Sequence, residues 1–411
     1  MSTLWHNRDW LLLWSGQLVS SAGSRVSLLT FPLLTLAVTG SPAQAGLISA
    51  ARGVPSTFIA LPAGALVDRW DRKRTMIACD LGRAIVLGVV AAAVIGGSMT
   101  LPLLIIGALV EGSLSTFFVL AESACLPRVV PPDQLATAAA ADQSSMASAE
   151  LVGPAIGGGL FGIAPMLPFA ADALTYLVSC GSLLLMRTPF QEPRGLSPDA
   201  RSRSLRVEII DGLKWVWREP LVRFLAVLHG GVNLCGFGYT LILFVIARQQ
   251  GATPFETGLV LGAGGGAAAV GSVLVPPLER LLGRGGLLVA STWLLALTWL
   301  AYAFAPTWVC LALANAVACA AIPLYMSTQL GFRLSRTPDA FQGRVGSLFR
   351  MLSFGLQPLS LLLTGALLEQ TGATTTIVVL FVPQIVLALA AQLRFSRPSY
   401  APAADGRSCR L

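Results

Sequence analysis

Stretches of roughly 20 apolar residues, separated by short polar turns, recur from one end of this 411-residue chain to the other. Each is long enough to cross a bilayer core of about 30 Å as a helix. Backbone groups in hydrocarbon must satisfy one another, so runs of this kind can only become helices packed side by side. Only 12% of the residues are charged, where a soluble domain carries about a quarter. An all-α polytopic membrane protein is therefore expected.

Apolar runs and their breakers predict twelve spans, at about 10–38, 43–67, 75–96, 100–122, 136–163, 166–186, 221–247, 255–278, 287–304, 307–330, 345–368 and 374–393. The first run is too long for a signal-peptide core and no small-residue cleavage site ends it, so it reads as a retained helix. One long polar stretch, Arg187 to Pro220, divides the spans six and six. The expected organisation is an N-terminal six-helix bundle (1–186), a cytoplasmic linker (187–220), a C-terminal six-helix bundle (221–393) and a cytoplasmic tail (394–411). Within the linker, Leu205, Ile209, Leu213 and Val216 fall at helical spacing among charges, the pattern of an amphipathic helix lying on the inner leaflet.

Orientation follows from the basic residues. With the N-terminus in the cytoplasm, 24 of the 28 lysines and arginines fall on the cytoplasmic side. Only Arg248 falls on the other, while Arg25, Arg52 and Arg83 lie inside spans. Both termini are expected in the cytoplasm, and the net charge of +8 reflects topology rather than a nucleic-acid partner. Six of the seven cysteines sit in or beside apolar runs, with no metal-ligand spacing, and behave as small hydrophobes. Heavy use of arginine and alanine with only two lysines suggests a GC-rich bacterial genome, hence a bacterial inner membrane.

The halves echo each other. Pro132-Asp133 after span four and Pro338-Asp339 after span ten each lead, about twenty residues on, to a second proline, Pro154 and Pro358. Asp68-Arg69 has a fainter counterpart in Glu279-Arg280, and the offset is about 205 to 211 residues. Two bundles related by duplication, with a cleft between them, would produce this pattern.

Between spans two and three the chain reads GALVDRWDRKR, with six charges in the seven positions from Asp68 to Arg74. Gly64, Asp68, Arg69, Arg72 and Lys73 resemble the signature loop of the major facilitator superfamily. The likeness extends over the whole chain. It is closest to the branch of the enterobactin exporter and the macrolide efflux proteins, which share a WDRKR-like loop and a Gly-Arg-Val, here Gly343, Arg344 and Val345. The resemblance implies a cytoplasmic gate built from Gly64, Asp68, Arg69, Arg72, Lys73 and Arg344, which latches the bundles shut on that side. Asp71, often glycine in the wider family, is common in that branch. Span five carries Gly153, Pro154, Gly157 and Gly158, the core of the family's antiporter motif, without its upstream glycines. Span four has Glu111-Gly112 where drug–proton antiporters carry Arg-x-x-Gln-Gly, so an arginine-assisted relay would need Arg25 or Arg52 instead.

Charges inside spans are costly and point to function or to mutual pairing. Arg25, Arg52, Glu111, Asp142, Glu150 and Asp172 all belong to the first bundle. They are expected to line the cavity or to neutralise one another. Arg25, Arg52, Glu111, Asp142 and Glu150 are candidates for coupling or substrate contact, with Glu111 or Glu150 exchanging a proton. Asp80 and Arg83, three apart, are expected to pair near the cytoplasmic face. The second bundle has no mid-span acid, and its lone His229 reads as a satisfied helix residue. Glycines at 258, 262 and 266 make a smooth face, suited to sliding or to plain tight packing.

With no nucleotide-binding GxxxxGK[ST] segment and two distant histidines, the chain lacks the parts of an ATPase, a metal site or an enzyme. The expected function is secondary active transport without a cofactor, energised by a proton gradient. Export of a small amphipathic molecule (a siderophore, antibiotic or drug) is the leading reading. Import of a small organic solute, or a non-transporting sensor on the same fold, are the alternatives. A monomer in the lipid bilayer is expected.

Overall fold

The computed structural model describes residues 4–67, 69–188, 190 and 213–395. Asp68, most of the linker with its expected amphipathic helix, and the tail beyond 395 lie outside the described residues. All regular structure among the described residues is helical.

In the first half run α1 (Arg8–Thr39), α2 (Pro42–Phe58) continued by α3 (Ala60–Val67), α4 (Arg72–Ile95), α5 (Leu101–Val129), α6 (Leu135–Ile163) and α7 (Leu167–Leu185). The second half holds α8 (Pro220–Gly236) continued by α9 (Tyr239–Gln249), α10 (Pro254–Phe304), α11 (Trp308–Arg336), α12 (Asp339–Gly355) and α13 (Gln357–Phe395). With 51 residues, α10 would reach about 75 Å if straight, far more than a bilayer. It is two spans joined at Gly283, whose φ of 69° only glycine adopts freely. Gly372, at φ 77°, divides α13 in the same way. Its first part continues α12 as one span, so the described residues make twelve crossings in an all-α membrane fold of two bundles.

Local chemistry sets where these helices begin. Asn7, Ser41, Asp71 and Thr307 each accept a backbone N–H of the following turn. Thr253 and Glu256 form a reciprocal capping box ahead of Pro254. Asp71 therefore has a structural task within the charged loop: its carboxylate caps α4 at 2.8 Å from Arg74 N–H.

The bundles meet along two helix pairs, α6 with α10 and α2 with α13. Missing side chains make the approach possible. A Cβ on Gly258 would collide with the Pro154 carbonyl, one on Gly262 would lie 2.5 Å from the Leu151 carbonyl, and one on Gly265 2.6 Å from that of Glu150. On the other pair, a Cβ on Gly46 would sit 2.6 Å from the Leu361 carbonyl, and one on Gly365 2.8 Å from that of Pro42. The Glu369 carboxylate closes the end of this pair by accepting from the Ser41 hydroxyl and, at 3.0 Å, from the Ala43 N–H.

These contacts occupy the half of the molecule away from the arginine-rich loops. They run from Gly158 and Pro254 to Glu150 and Gly265, and from Ser41 and Glu369 to Thr57, whose hydroxyl donates to the Phe354 carbonyl at 3.1 Å. Toward the basic face, Met146, Val273, Leu281, Phe58 and Met351 are exposed. Gly64, Gly343 and Gly346 have no neighbour within 4 Å of where a Cβ would stand. The cleft between the bundles is closed at the far face and open at the basic one.

Gly258→Val is expected to force α6 and α10 apart at a cost of about 1–3 kcal/mol, read as a lower melting temperature in detergent. Gly64→Ala, with open space around it, should show no loss.

Candidate functional site

Glu111 lies midway along α5, completely buried. Its neighbour Gly112 lets α5 touch α2, since a Cβ there would collide with the Arg52 carbonyl. That approach brings Arg52 onto Glu111 as a two-pronged pair, Nε to Oε2 at 2.5 Å and Nη2 to Oε1 at 3.1 Å. Arg83 Nη2 also reaches Oε1, at 3.3 Å, and so does the Tyr176 hydroxyl, at 3.3 Å. Arg83 in turn donates to Tyr176 at 2.5 Å and to Ser24 at 3.1 Å. Its guanidinium lies 3.9 Å from the centre of the Tyr176 ring.

Four donors therefore converge on one carboxylate, which fills its acceptor capacity. This network does not line the cleft; it fixes α2, α4, α5 and α7 to one another inside the first bundle. Arg83 sits eleven residues into α4, about 16 Å from that helix's basic end. The expected i,i+3 ion pair with Asp80 is present, but deeper in the helix than the basic face where it was expected. Asp80 stands 3.7 Å away, and the closer partners are Glu111 and Tyr176.

Arg25 and Glu150 form the second group. Arg25 Nη2 lies 2.8 Å from Glu150 Oε1, with the side chains 33% and 43% exposed. Gly153 sets the spacing of α1 and α6 here, since a Cβ on it would lie 2.6 Å from Arg25 Cβ. Gly157 does the same against Val26, and Gly158 and Pro154 face α10 across the seam. The four motif residues thus serve two interfaces at once. Asp142 sits on the basic-face half of α6, partly buried and apart from both pairs.

Of the loop residues, Arg72 Nη1 donates to the Ala124 carbonyl at 2.7 Å and Lys73 Nζ to that of Met186 at 2.7 Å, both in the first bundle. Arg344 lies 5.5 Å over the Phe341 ring. In the second bundle His229 Nε2 pairs with the Ser353 hydroxyl at 2.7 Å and stacks on Tyr325. Among the described residues no group of three or more His, Cys, Asp or Glu is placed to hold a metal ion.

Residues 13–360 match the family described as the Major Facilitator Superfamily. The chain belongs to that family. It is 26% identical over 398 residues to the multidrug efflux pump Tap of Mycolicibacterium fortuitum, covering 93% of this chain and 94% of that protein. The nucleoside transporter NupG shares the fold with a TM-score of 0.77 at 14% identity, over 95% of this chain and 99% of that one. A bacterial homologue of the human lysosomal transporter Spinster, in an inward-facing and unoccupied conformation, superposes with a TM-score of 0.72 at 15% identity, over 96% and 97%. This major facilitator is a multi-pass membrane transporter, not an enzyme.

Sequence reasoning placed Arg52 and Glu111 among the candidates but missed Arg83 and Tyr176 as their partners. Counting residues inward from the charged loop gives the depth of Arg83; nothing local marks Tyr176. Glu111→Gln should leave two buried guanidiniums without their counter-charge and cost about 3–5 kcal/mol. Tyr176→Phe should cost nearer 1 kcal/mol, both read from thermal melts of the purified protein.

Proposed function

We propose that this chain is a proton-coupled exporter of small amphipathic molecules, such as a siderophore, antibiotic or drug, working by alternating access in a bacterial inner membrane. The observation that carries the reading is the half-seam: glycine-lined contacts close one end of the cleft while the same helix pairs diverge at the other. With the basic face and both termini in the cytoplasm, the cleft opens inward. Full-length likeness to multidrug efflux pumps supports the direction of transport, and the charged loop supports kinship with the enterobactin-exporter and macrolide-efflux branch. Only the fold is shared with the nucleoside transporter, so that likeness carries no direction.

The coupling carboxylate in this reading is Glu150. Glu111 has its acceptor sites filled, and protonating it would strand Arg52 and Arg83. Glu150 makes an ion pair with Arg25, is partly exposed, and stands beside Gly265 of the opposite bundle. Protonation there releases Arg25 and alters the contact at the inner limit of the seam. Gly64, Asp68, Arg69, Arg72, Lys73 and Arg344 then serve as the gate that closes the cytoplasmic side in the alternate state.

Efflux of a panel of fluorescent amphipathic compounds from cells expressing the protein tests the reading. Efflux should collapse with a protonophore. Glu150→Gln should keep its melting temperature yet fall to the protonophore-treated level. Efflux by Glu150→Gln equal to the unmodified protein removes Glu150 from coupling, and accumulation in place of efflux overturns the direction.

A further inference from the structure

The turn between α1 and α2 lies at the closed end of the seam. Only Gly40 and Ser41 separate the two helices, and Pro42 opens α2 at its first position, so they form a stiff hairpin. A hairpin of this kind sets opposite partial charges a few residues apart. The last turn of α1 presents carbonyls, the negative end of a 32-residue helix, and the first turn of α2 presents N–H groups, a positive end. The second bundle meets each end with the opposite charge. Arg248 Nη1, from the last turn of α9, donates to the Leu36 carbonyl at 3.3 Å. Glu369, three residues before the break in α13, accepts from the Ser41 hydroxyl and, at 3.0 Å, from the Ala43 N–H.

Local chemistry aims both contacts. The Ser41 oxygen accepts from the Gln44 N–H at 3.1 Å, which caps α2 and leaves the hydroxyl proton for Glu369. Gly46 and Gly365 bring the backbones of α2 and α13 close enough for that carboxylate to reach the helix end. Arg248 is the one basic residue that the loop pattern puts on this face, against the bias that keeps the others in the cytoplasm. Among the described residues Arg248 and Glu369 form no ion pair, with each other or with a third charge. What each meets across the seam is a helix end.

We propose that Arg248 and Glu369 are the external gate of this transporter, a clamp of two charges on the two helix ends of one hairpin. It holds the cleft shut at the far face and must let go before the cleft can open there. The gate rests on the alternating-access reading, and on neither the coupling proton nor the substrate. The clamp is specific in sign. An ion pair works equally well with its charges swapped. A clamp on helix ends does not, because an acid beside the Leu36 carbonyl and a base beside the Ala43 N–H would each meet their own sign.

Hydrogen–deuterium exchange of the full-length protein in lipid nanodiscs, at neutral pH, tests this. Glu369→Gln keeps an acceptor for both donors and removes the charge. Deuterium uptake should become about fivefold faster or more in the external stretches 33–46 and 360–371. It should become slower in the cytoplasmic stretches 58–66 and 341–355, where the cleft mouth closes. Arg248→Gln should move all four stretches the same way, and it tests the clamp even if Glu369→Gln does not fold. The charge-swapped pair, Arg248→Glu with Glu369→Arg, should move them further than either single change. Faster uptake outside with no change in the cytoplasmic stretches marks a frayed helix end and overturns the gate. Uptake restored in the charge-swapped pair marks an ordinary ion pair and overturns the clamp. The expected shifts with no efflux by the unmodified protein would sink the exporter reading and leave the clamp standing. Normal efflux, with uptake unmoved by either single substitution, would sink the clamp alone.

Discussion

Pressing one helix on another gains nothing hydrophobic in a membrane, because lipid is as apolar as leucine. Association has to come from close backbone approach, and here that approach is made by glycine. Gly258, Gly262 and Gly265 bring α10 onto the carbonyls of α6, and Gly46 and Gly365 bring α2 onto α13. The closed end, the depth of the cleft and the place of Glu150 all follow from where those glycines stop. The side chains that do cross the seam, among them Leu29, Leu36 and Ala45 with Leu241, Phe244 and Leu361, form one buried apolar cluster beside these glycines.

Rigidity within a bundle has a different origin. In the first, one carboxylate gathers Arg52, Arg83 and Tyr176 from three other helices, far from water. Charge of this kind is tolerable only when it is nearly balanced and fully hydrogen-bonded, and then it is hard to disturb. The second bundle has no such centre. Its interior is held by neutral pairs such as His229 with Ser353, and Asn315 donating to the Val260 carbonyl at 2.8 Å. Among the described residues the mid-span charge is thus confined to one of the two bundles.

Hydropathy carried most of the fold, because spanning length and helix-breaking turns are local properties. The twelve expected spans agree with the described helices to within a few residues at most ends, and the glycine spacing of span eight was visible before its partner was. Partners are the part that sequence conceals. Gly46 and Gly365 belong to no motif, and their importance lies only in facing each other. The pair of Arg83 with Asp80 was legible, since spacing of three is a local signal, whereas its closer partners Glu111 and Tyr176 are 28 and 93 residues away. Asp172 was legible as a costly charge, yet Ser27, 145 residues away, is what it meets.

The two ends of the α2–α13 pair differ in what stands between the backbones. At the far face Glu369 sits on the N-terminus of α2, where unpaired N–H groups and the helix dipole favour an anion. There Arg248 Nη1 also donates to the Leu36 carbonyl at 3.3 Å, and Leu29, Leu36 and Ala45 of the first bundle pack with Leu241, Phe244 and Leu361 of the second, while Gly46 and Gly365 bring the backbones of α2 and α13 together. At the basic face Gly64, Gly343 and Gly346 leave the same kind of vacancy with nothing yet in it. Larger residues at those positions would bar the approach by volume alone, whatever charges stood nearby. A latch of charges can close only a gap that small residues have already made narrow, so the glycines set where the cleft can shut and the charges set how firmly.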